Sequence, residues 1–306
     1  MVLRWCVFSS ACWWFGCASA SEAPARGSAS TAASESTGGT STPSAVMAAN
    51  GIGGALGFEP TSTGAPTMDA DCDNVLEVTY RDFDATHPDM ERANPGDVVR
   101  HNLVELELGP DKKPVFASSV GCPRVEARPS QPGECDNWTV TEPVIESRAS
   151  FDQWYRTLDG VNLEIEKTLE LTATADGSYV FDSTSFFPLG PSEGYGIAPT
   201  PNHHLMSNFL FTTEIHVRFR YLSGQVFSFR GDDDLWIFVN DRLAMDLGSM
   251  HAAEVGVIDF DAQASELGIV AGRSYQMDIF HAERHTLESN FRFETNISCF
   301  EPVVIK

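Results

Sequence analysis

From about residue 71 onward, apolar and polar residues alternate with a period of two, the pattern of strands with one buried face. "NVLEVTYRDF" (74–83) predicts a first strand. "HNLVELELG" (101–109) predicts another, turning at "GPDKKP" into "VFAS". "LEIEKTLELTAT", a turn at Asp176-Gly177 and "SYVFDSTSFFPL" continue the series. In "TEIHVRFRYL", Ile215, Val217 and Phe219 alternate against Glu214, His216, Arg218 and Arg220, so one face should be buried. "QVFSFR" follows a Ser-Gly turn, and "LWIFVN" is apolar almost without a break, the mark of a strand covered on both faces. "AEVGVIDF", "SYQMDIFHAE" and "NFRFETNI" predict three more strands. One stretch reads as helix. In "SFDQWYRTL", Ser150 is the predicted N-cap, and Phe151, Trp154, Tyr155 and Leu158 share a face. "GPSEGYGIAPTPNHH" is rich in Gly and Pro and predicts a surface loop. Many strands, short turns and few helices predict an all-β fold, an antiparallel β-sandwich with one or two short helices. No internal repeat is seen.

The first seventy residues have a different character. "MVLRWCVFSSACWWFGCASASEA" has one early charge, Arg4, and then an apolar run too short for a membrane span. Residues 1–20 read as an export signal, with Ala18-Ser19-Ala20 as the cleavage site. A lipoprotein signal ending at Cys17 is the alternative, although Trp14 stands where such motifs have Leu. Residues 21–70 are Ser, Thr, Ala, Gly and Pro with few large apolar side chains. Such a segment cannot bury enough surface to offset its ordering entropy, and it predicts a disordered linker. Residues 71–306 then form the folded domain.

The formal net charge of −23 argues against nucleic acid or an anionic membrane surface as partner, because both repel a polyanion. It suits an extracellular or cell-surface location and the binding of cations. A membrane contact would come only through a lipid anchor at Cys17. Of the seven cysteines, Cys6, Cys12 and Cys17 fall in the export segment, leaving Cys72, Cys122, Cys135 and Cys299. Four cysteines in an exported domain suggest two disulfides, with three pairings open. Cys122–Cys135 is favoured because it closes the short loop "CPRVEARPSQPGEC", and Cys72–Cys299 would then tie the domain's ends. Their spacing does not match a zinc finger or ribbon.

Candidate chemistry concentrates in "FSFRGDDDLWIFVNDRLAMDLG" (227–248), where Asp232, Asp233 and Asp234 follow Gly231 between two strands. A turn of this kind puts carboxylates at the rim of a sandwich. Close carboxylates become tolerable when a dication sits among them, and calcium prefers such hard oxygen ligands. A solvated acidic turn, with the side chains capping loop amides, is the plainer alternative.

These stretches resemble a known family. "TYRDFDATHPD", "SFDQWY", "FTTEIHVRFRYLSGQVFSFRGDDDLWIFVNDRLAMDLGSMHAA" and "YQMDIFHAERHTLESNFRFETN" are similar to fibro-slime domains, relatives of the PA14-type sandwich. The resemblance runs from about Val78 to Thr295. It implies a PA14-like sandwich in which an Asp-Asp pair opening the central strand holds calcium, and the ion binds carbohydrate hydroxyls. Asp232 and Asp233 match that pair, and Asp234 takes a place where PA14 domains usually have Gly. Asn240 matches the position after the apolar strand. Asn290, in "HAERHTLESNF", lies closest to the family's second-loop ligand, and Glu283 and His285 are further candidates there. "LGSMHAAE" adds His251, with Asp246 just before it, and Asp246 can equally cap the turn after its strand. Arg284 is placed to pair with one of the aspartates. Tyr195 and Trp236 are aromatics that could stack on a sugar, although Trp236 lies in the buried strand.

The implied function is a calcium-dependent carbohydrate- or matrix-binding adhesion module, with glycans or matrix polysaccharide as partners. A structural matrix protein that self-associates, with calcium serving only stability, is the alternative. An enzyme has less support. His281 and His285 flank Glu283 in "HAERH", but a zincin needs H-E-x-x-H on a helix, and this stretch alternates like a strand. His203 and His204 read as loop residues. A glycosidase would need two facing carboxylates, which nothing in the sequence distinguishes from metal ligands. There is no G-x-S-x-G elbow, P-loop or dinucleotide fingerprint.

Overall fold

The computed structural model describes residues 72, 74–92, 98–123, 127–129, 135–136, 142–197, 206–285 and 288–305. The export segment 1–20 with Cys17, the linker 21–70, and His203 and His204 lie outside the described residues. In chain order the elements are β1 (Val75–Phe83), β2 (Arg100–His101), β3 (Cys122–Pro123), helix α1 (Arg148–Phe151), β4 (Asn162–Glu170), β5 (Thr172–Ala173), β6 (Tyr179–Ser183) and β7 (Phe211–Arg220). They continue with β8 (Val226–Gly231), β9 (Asp234–Val239), β10 (Arg242–Leu247), β11 (Glu254–Asp259), helix α2 (Phe260–Leu267), β12 (Ser274–Glu283), β13 (Phe291–Thr295) and β14 (Glu301–Pro302).

The strands form an antiparallel β-sandwich. One sheet has the order β10-β9-β12-β7-β1-β4, and the facing sheet has the order β11-β8-β13-β6-β5. β1 pairs with β7 only from Thr79↔Glu214 to Asp82↔Phe211, and β14 pairs with β7 further along, at Glu301↔Arg218 and Pro302↔Val217. The last strand thus occupies the flank of β7 that β1 leaves. Cys72 is bonded to Cys299, which fastens the segment before β1 to the segment before β14, and Cys122 is bonded to Cys135.

Alternation decides what is buried. Leu76, Val78 and Tyr80 of β1, Ile215, Val217 and Phe219 of β7, and the phenylalanines of β8 and β13 share one core between the sheets. β9 is buried along its whole length because it has two cores to fill. Leu235, Ile237 and Val239 enter the core between the sheets, while Trp236 and Phe238 meet Phe151, Trp154 and Tyr155 on the sheet's outer side. That second cluster explains the unbroken "LWIFV" run.

Three local expectations change. The helix cap is Ser147, not Ser150: Ser147 adopts extended backbone and its side chain accepts from the Ser150 amide, while the Ser150 hydroxyl accepts from the Ser147 amide. The helix lasts one turn, which leaves Leu158 exposed off the expected face. "HNLVELELG" is not a strand but makes the isolated bridges Val104↔Phe116 and Glu107↔Arg242, because Leu103 and Val104 are drawn into the second cluster while Leu106 is exposed. Helix α2 was not expected, although Asp259 caps its start through the Ala262 amide and Gly268 ends it in a left-handed conformation.

β1 ends in a loop clamp. Asp82 is fully buried, and its Oδ2 accepts the Tyr195 amide at 2.5 Å. Gly194 passes so close, at φ +58°, that a Cβ there would lie 2.0 Å from the same oxygen. Among the described residues no group meets hydrogen-bond geometry to the Asp82 Oδ1, so it can carry a proton without losing a donor. Burial pushes this carboxyl up to about 6, against the amides that favour its charge. The folded protein therefore holds this proton at pH values where the unfolded chain has shed it. The resulting stability is complete below the ordinary 3.8 and is lost as pH rises through about 6. Asp82→Asn should flatten that part of the stability–pH curve in urea unfolding between pH 4 and 7, and an unchanged slope would exclude Asp82 as its source.

Candidate functional site

The acidic stretch sits at the sandwich rim where β8 crosses into β9. Gly231 ends β8 because a Cβ would come within 2.5 Å of the Phe229 ring and 2.7 Å of the Asn290 carbonyl. Asp232 and Asp233 make the crossing and Asp234 opens β9. Asp233 has φ +57°, a left-handed conformation that Asp tolerates better than most side chains. All three aspartates are buried.

Their roles differ. Asp232 is gripped by Asn290, whose amide donates to Oδ1 and whose side-chain Nδ2 donates to Oδ2, both at 2.6 Å. The Asp233 Oδ2 accepts the Arg284 amide at 2.7 Å, and the Asp233 amide donates to the His251 carbonyl. Asp234 has both oxygens engaged: Oδ1 accepts the Ser249 amide at 2.7 Å, and Oδ2 lies 2.6 Å from the Arg284 Nε in an ion pair with no solvent exposure. Asp234 is therefore the most firmly committed of the three.

Alternation along the end of β12 sorts the partners. His281 enters the core among Phe186, Phe211 and Phe291, and burial pushes its imidazole down to about 3, so it is neutral. Glu283 points to the same side, and Arg284 to the other. There the guanidinium lies 4.7 Å from the Trp154 ring and donates through Nη1 to the carbonyls of Asp89 and Val144. The Asp89 carboxylate in turn accepts the Glu146 amide and the Trp154 indole N–H. Burial favours a neutral Arg284, but the Asp234 carboxylate against it outweighs that and raises its pKa.

Glu283 is the unsatisfied carboxylate, and the Arg284 Nη2 and His281 Nε2 beside it in the chain also meet no partner among the described residues. It is fully buried, and among the described residues no group meets hydrogen-bond geometry to either carboxylate oxygen. The Ser289 hydroxyl, which donates to the Phe186 carbonyl, and the His285 amide lie near it without satisfying it. Burial, then the charges of Asp233 and Asp232, raise its pKa well above the ordinary value. Burial also raises Asp233 strongly, over the opposing pull of Arg284, and raises Asp232. The carboxyls of Asp232, Asp233 and Glu283 thus crowd together, while the guanidinium of Arg284 is already paired with Asp234. Ionising all of them without a further positive charge is prohibitively costly at this burial.

The other candidates separate from this cluster. Asn240 stands at the far end of β9, roughly 20 Å away at the rise of a strand, and donates from Nδ2 to the Leu267 carbonyl. Asp246 is held from several sides: its Oδ1 accepts the Trp236 indole N–H and its Oδ2 the Asn102 amide, the Gly248 amide in the turn after its strand also favours its charge, and burial pushes its carboxyl up to about 7. Trp236 is fully buried against Phe151 and Trp154, so it offers no face to a sugar. Tyr195 is exposed on the loop that Asp82 clamps. The His251 ring lies between the Leu247 and Ala252 carbonyls, so this residue meets the cluster through its backbone. His285 meets it through its amide beside Glu283. Among the described residues, no three His, Cys, Asp or Glu side chains stand ready-arranged to hold a metal ion. The sequence reading did not single out Asp89, whose signal was the acidic turn "THPD".

No family model matches the chain. Curated relatives do. Protein psiD of Dictyostelium discoideum is 32% identical over 229 residues, covering 73% of this chain and 41% of psiD. Protein psiC of the same organism is 31% identical over 240 residues, covering 75% and 43%. Protein psiI is 38% identical over 148 residues, covering 47% of this chain and 20% of psiI. The chain is homologous to Dictyostelium psi proteins. It spans about two fifths of the length of psiD and psiC. The fibro-slime and PA14 resemblance continues to rest on the motifs alone.

The buried pair makes a direct prediction. Arg284→Met should destabilise the protein by about 3–5 kcal/mol, because it strands the Asp234 carboxylate out of water. Asp234→Leu combined with Arg284→Met should cost clearly less than the sum of the single changes in urea unfolding. Additive costs would show that the two residues are not coupled.

Proposed function

We propose that the chain is an exported module whose acidic rim takes calcium and, through it, the hydroxyls of a glycan or matrix polysaccharide. The observation that carries this reading is Glu283: two fully buried carboxylate oxygens that no group among the described residues meets in hydrogen-bond geometry, beside Asp232 and Asp233. The donors are all oxygens, the chemistry a hard cation selects. Asp232, Asp233 and Glu283 would hold the ion. Turning the Asn290 amide about its last bond would exchange its N–H for its carbonyl oxygen and add a neutral ligand. Asp234 is left out, because Arg284 holds it. Bound calcium supplies exchangeable sites at which two neighbouring sugar hydroxyls can replace water. The aspartates, Glu283 and Asn290 give no nucleophile or poised acid–base pair a defined target, so the role proposed is binding rather than catalysis.

An extracellular or cell-surface location is part of the same reading. Two disulfides suit an oxidising compartment. Among the described residues no helix is long and apolar enough to cross a membrane.

Calorimetric calcium titration of the full chain should give a dissociation constant on the order of 10⁻⁴–10⁻³ M, the range of extracellular modules, with a matching rise in melting temperature. Asp233→Asn and Glu283→Gln should each abolish the response, because each removes a charged ligand, while keeping the fold in EDTA. Unchanged responses in both variants would overturn the assignment. Glycan-array binding that disappears in EDTA is the second expected result. A calcium-stabilised protein that binds no glycan would instead be a structural matrix component.

A further inference from the structure

A second cleft opens on the flank of the sandwich, between the edge strand β4 and strand β6. Its volume is about 370 Å3, near the lower limit of small-ligand pockets. The rings of Phe181 and Phe187, both half-buried, form apolar lining, and Tyr80 and Leu169 of the core lie beneath. Around these rings stand Thr168, Ser183 and Ser185 with their hydroxyls and the charged Lys167 and Glu170. The wall is held open by its own bonds. Lys167 Nζ donates to the Pro188 carbonyl and pairs with Glu193, both at 2.7 Å.

This cleft and the acidic rim share one segment of chain. The Phe186 amide donates to the Ser289 carbonyl, and the Ser289 hydroxyl donates back to the Phe186 carbonyl at 2.7 Å. The next residue, Asn290, holds Asp232 with its amide and side chain. The Phe186 ring also stacks on Phe291 at 4.4 Å, which fixes the cleft wall to the strand that follows Asn290. The cleft wall and the residue that holds Asp232 are therefore tied together through a doubly bonded joint.

We infer that the β4–β6 cleft is a subsite for a neighbouring sugar unit of a glycan held at the acidic rim, which rests on the glycan reading of that rim. The lining supports a saccharide. A sugar presents apolar C–H faces that pack on aromatic rings and equatorial hydroxyls that meet a polar border, and this cleft has both surfaces. The net charge of −23 repels anionic lipid heads. Two linked contacts raise the affinity of an oligosaccharide over its single unit without any new chemistry.

The test uses the full chain carrying 13C-labelled phenylalanine, with mannose, glucose and galactose and the trisaccharides mannotriose, maltotriose and galactotriose as probes, in calcium and in EDTA. With calcium, at least one trisaccharide should shift the Phe181 and Phe187 signals and bind about tenfold more tightly than its monosaccharide, the modest end of what linking two contacts yields. Ser185→Trp, and separately Thr168→Trp from the opposite wall, should remove both the shifts and the tenfold gain while leaving monosaccharide affinity unchanged. The subsite is overturned if no trisaccharide moves those signals in either buffer, or if both tryptophan variants bind the trisaccharide like the parent. Calcium-dependent sugar binding without those shifts keeps the rim reading and removes the subsite. Shifts that persist unchanged in EDTA keep the subsite and remove calcium from the reading.

Discussion

A guanidinium and a carboxylate, both shielded from water, hold together the end of the sandwich that carries its chemistry. Arg284 and Asp234 lie fifty residues apart in sequence and 2.6 Å apart in space. Desolvating both charges is costly, and the pair survives because every neighbour contributes. Ser249 donates to Asp234, Asp89 and Val144 accept from Arg284, and Trp154 lies against its plane. The pair thereby fixes the start of β9 against the end of β12, and both against the loops that precede α1. Asp232, Asp233 and Glu283 are displayed from strands whose ends have no freedom to spread apart. Their mutual repulsion is therefore relieved by holding protons rather than by movement, and all three carboxyls are raised above their ordinary values.

Much of this fold was readable from alternation. Ile215, Val217 and Phe219 are buried where the period of two put them, and the unbroken run of β9 is covered on both sides. The misreadings share a physical cause: a local pattern does not say which surface it meets. "HNLVELELG" alternates as well as any strand, yet Leu103 and Val104 serve the cluster under α1 and the segment forms only isolated bridges. Glu214 and His216 were expected on an open face. They are instead covered and satisfied by one another, by Arg81 and by Asp278.

The candidate site was legible in part for the same reason. The sequence places Asp232, Asp233, Glu283 and Asn290 on adjoining strand ends, and the structure brings them together. What no local reading could supply is the division of labour among the three aspartates, which depends on Arg284 fifty positions away. Asn240 shows the converse. Its place in a motif is independent of strand length, but six residues of extended chain put it at the opposite end of β9.

The Cys72–Cys299 bond has a mechanical meaning. It joins the chain where it enters the sheet at β1 to the chain where it leaves for β14, with Cα atoms 5.2 Å apart across a sequence separation of 227. A pull applied from before Cys72 to beyond Cys299 passes through one covalent bridge. The enclosed ladders, the buried ion pair and the acidic rim lie outside that line of force. Under tension only β14 can peel from β7, and the rest of the sandwich stays unloaded.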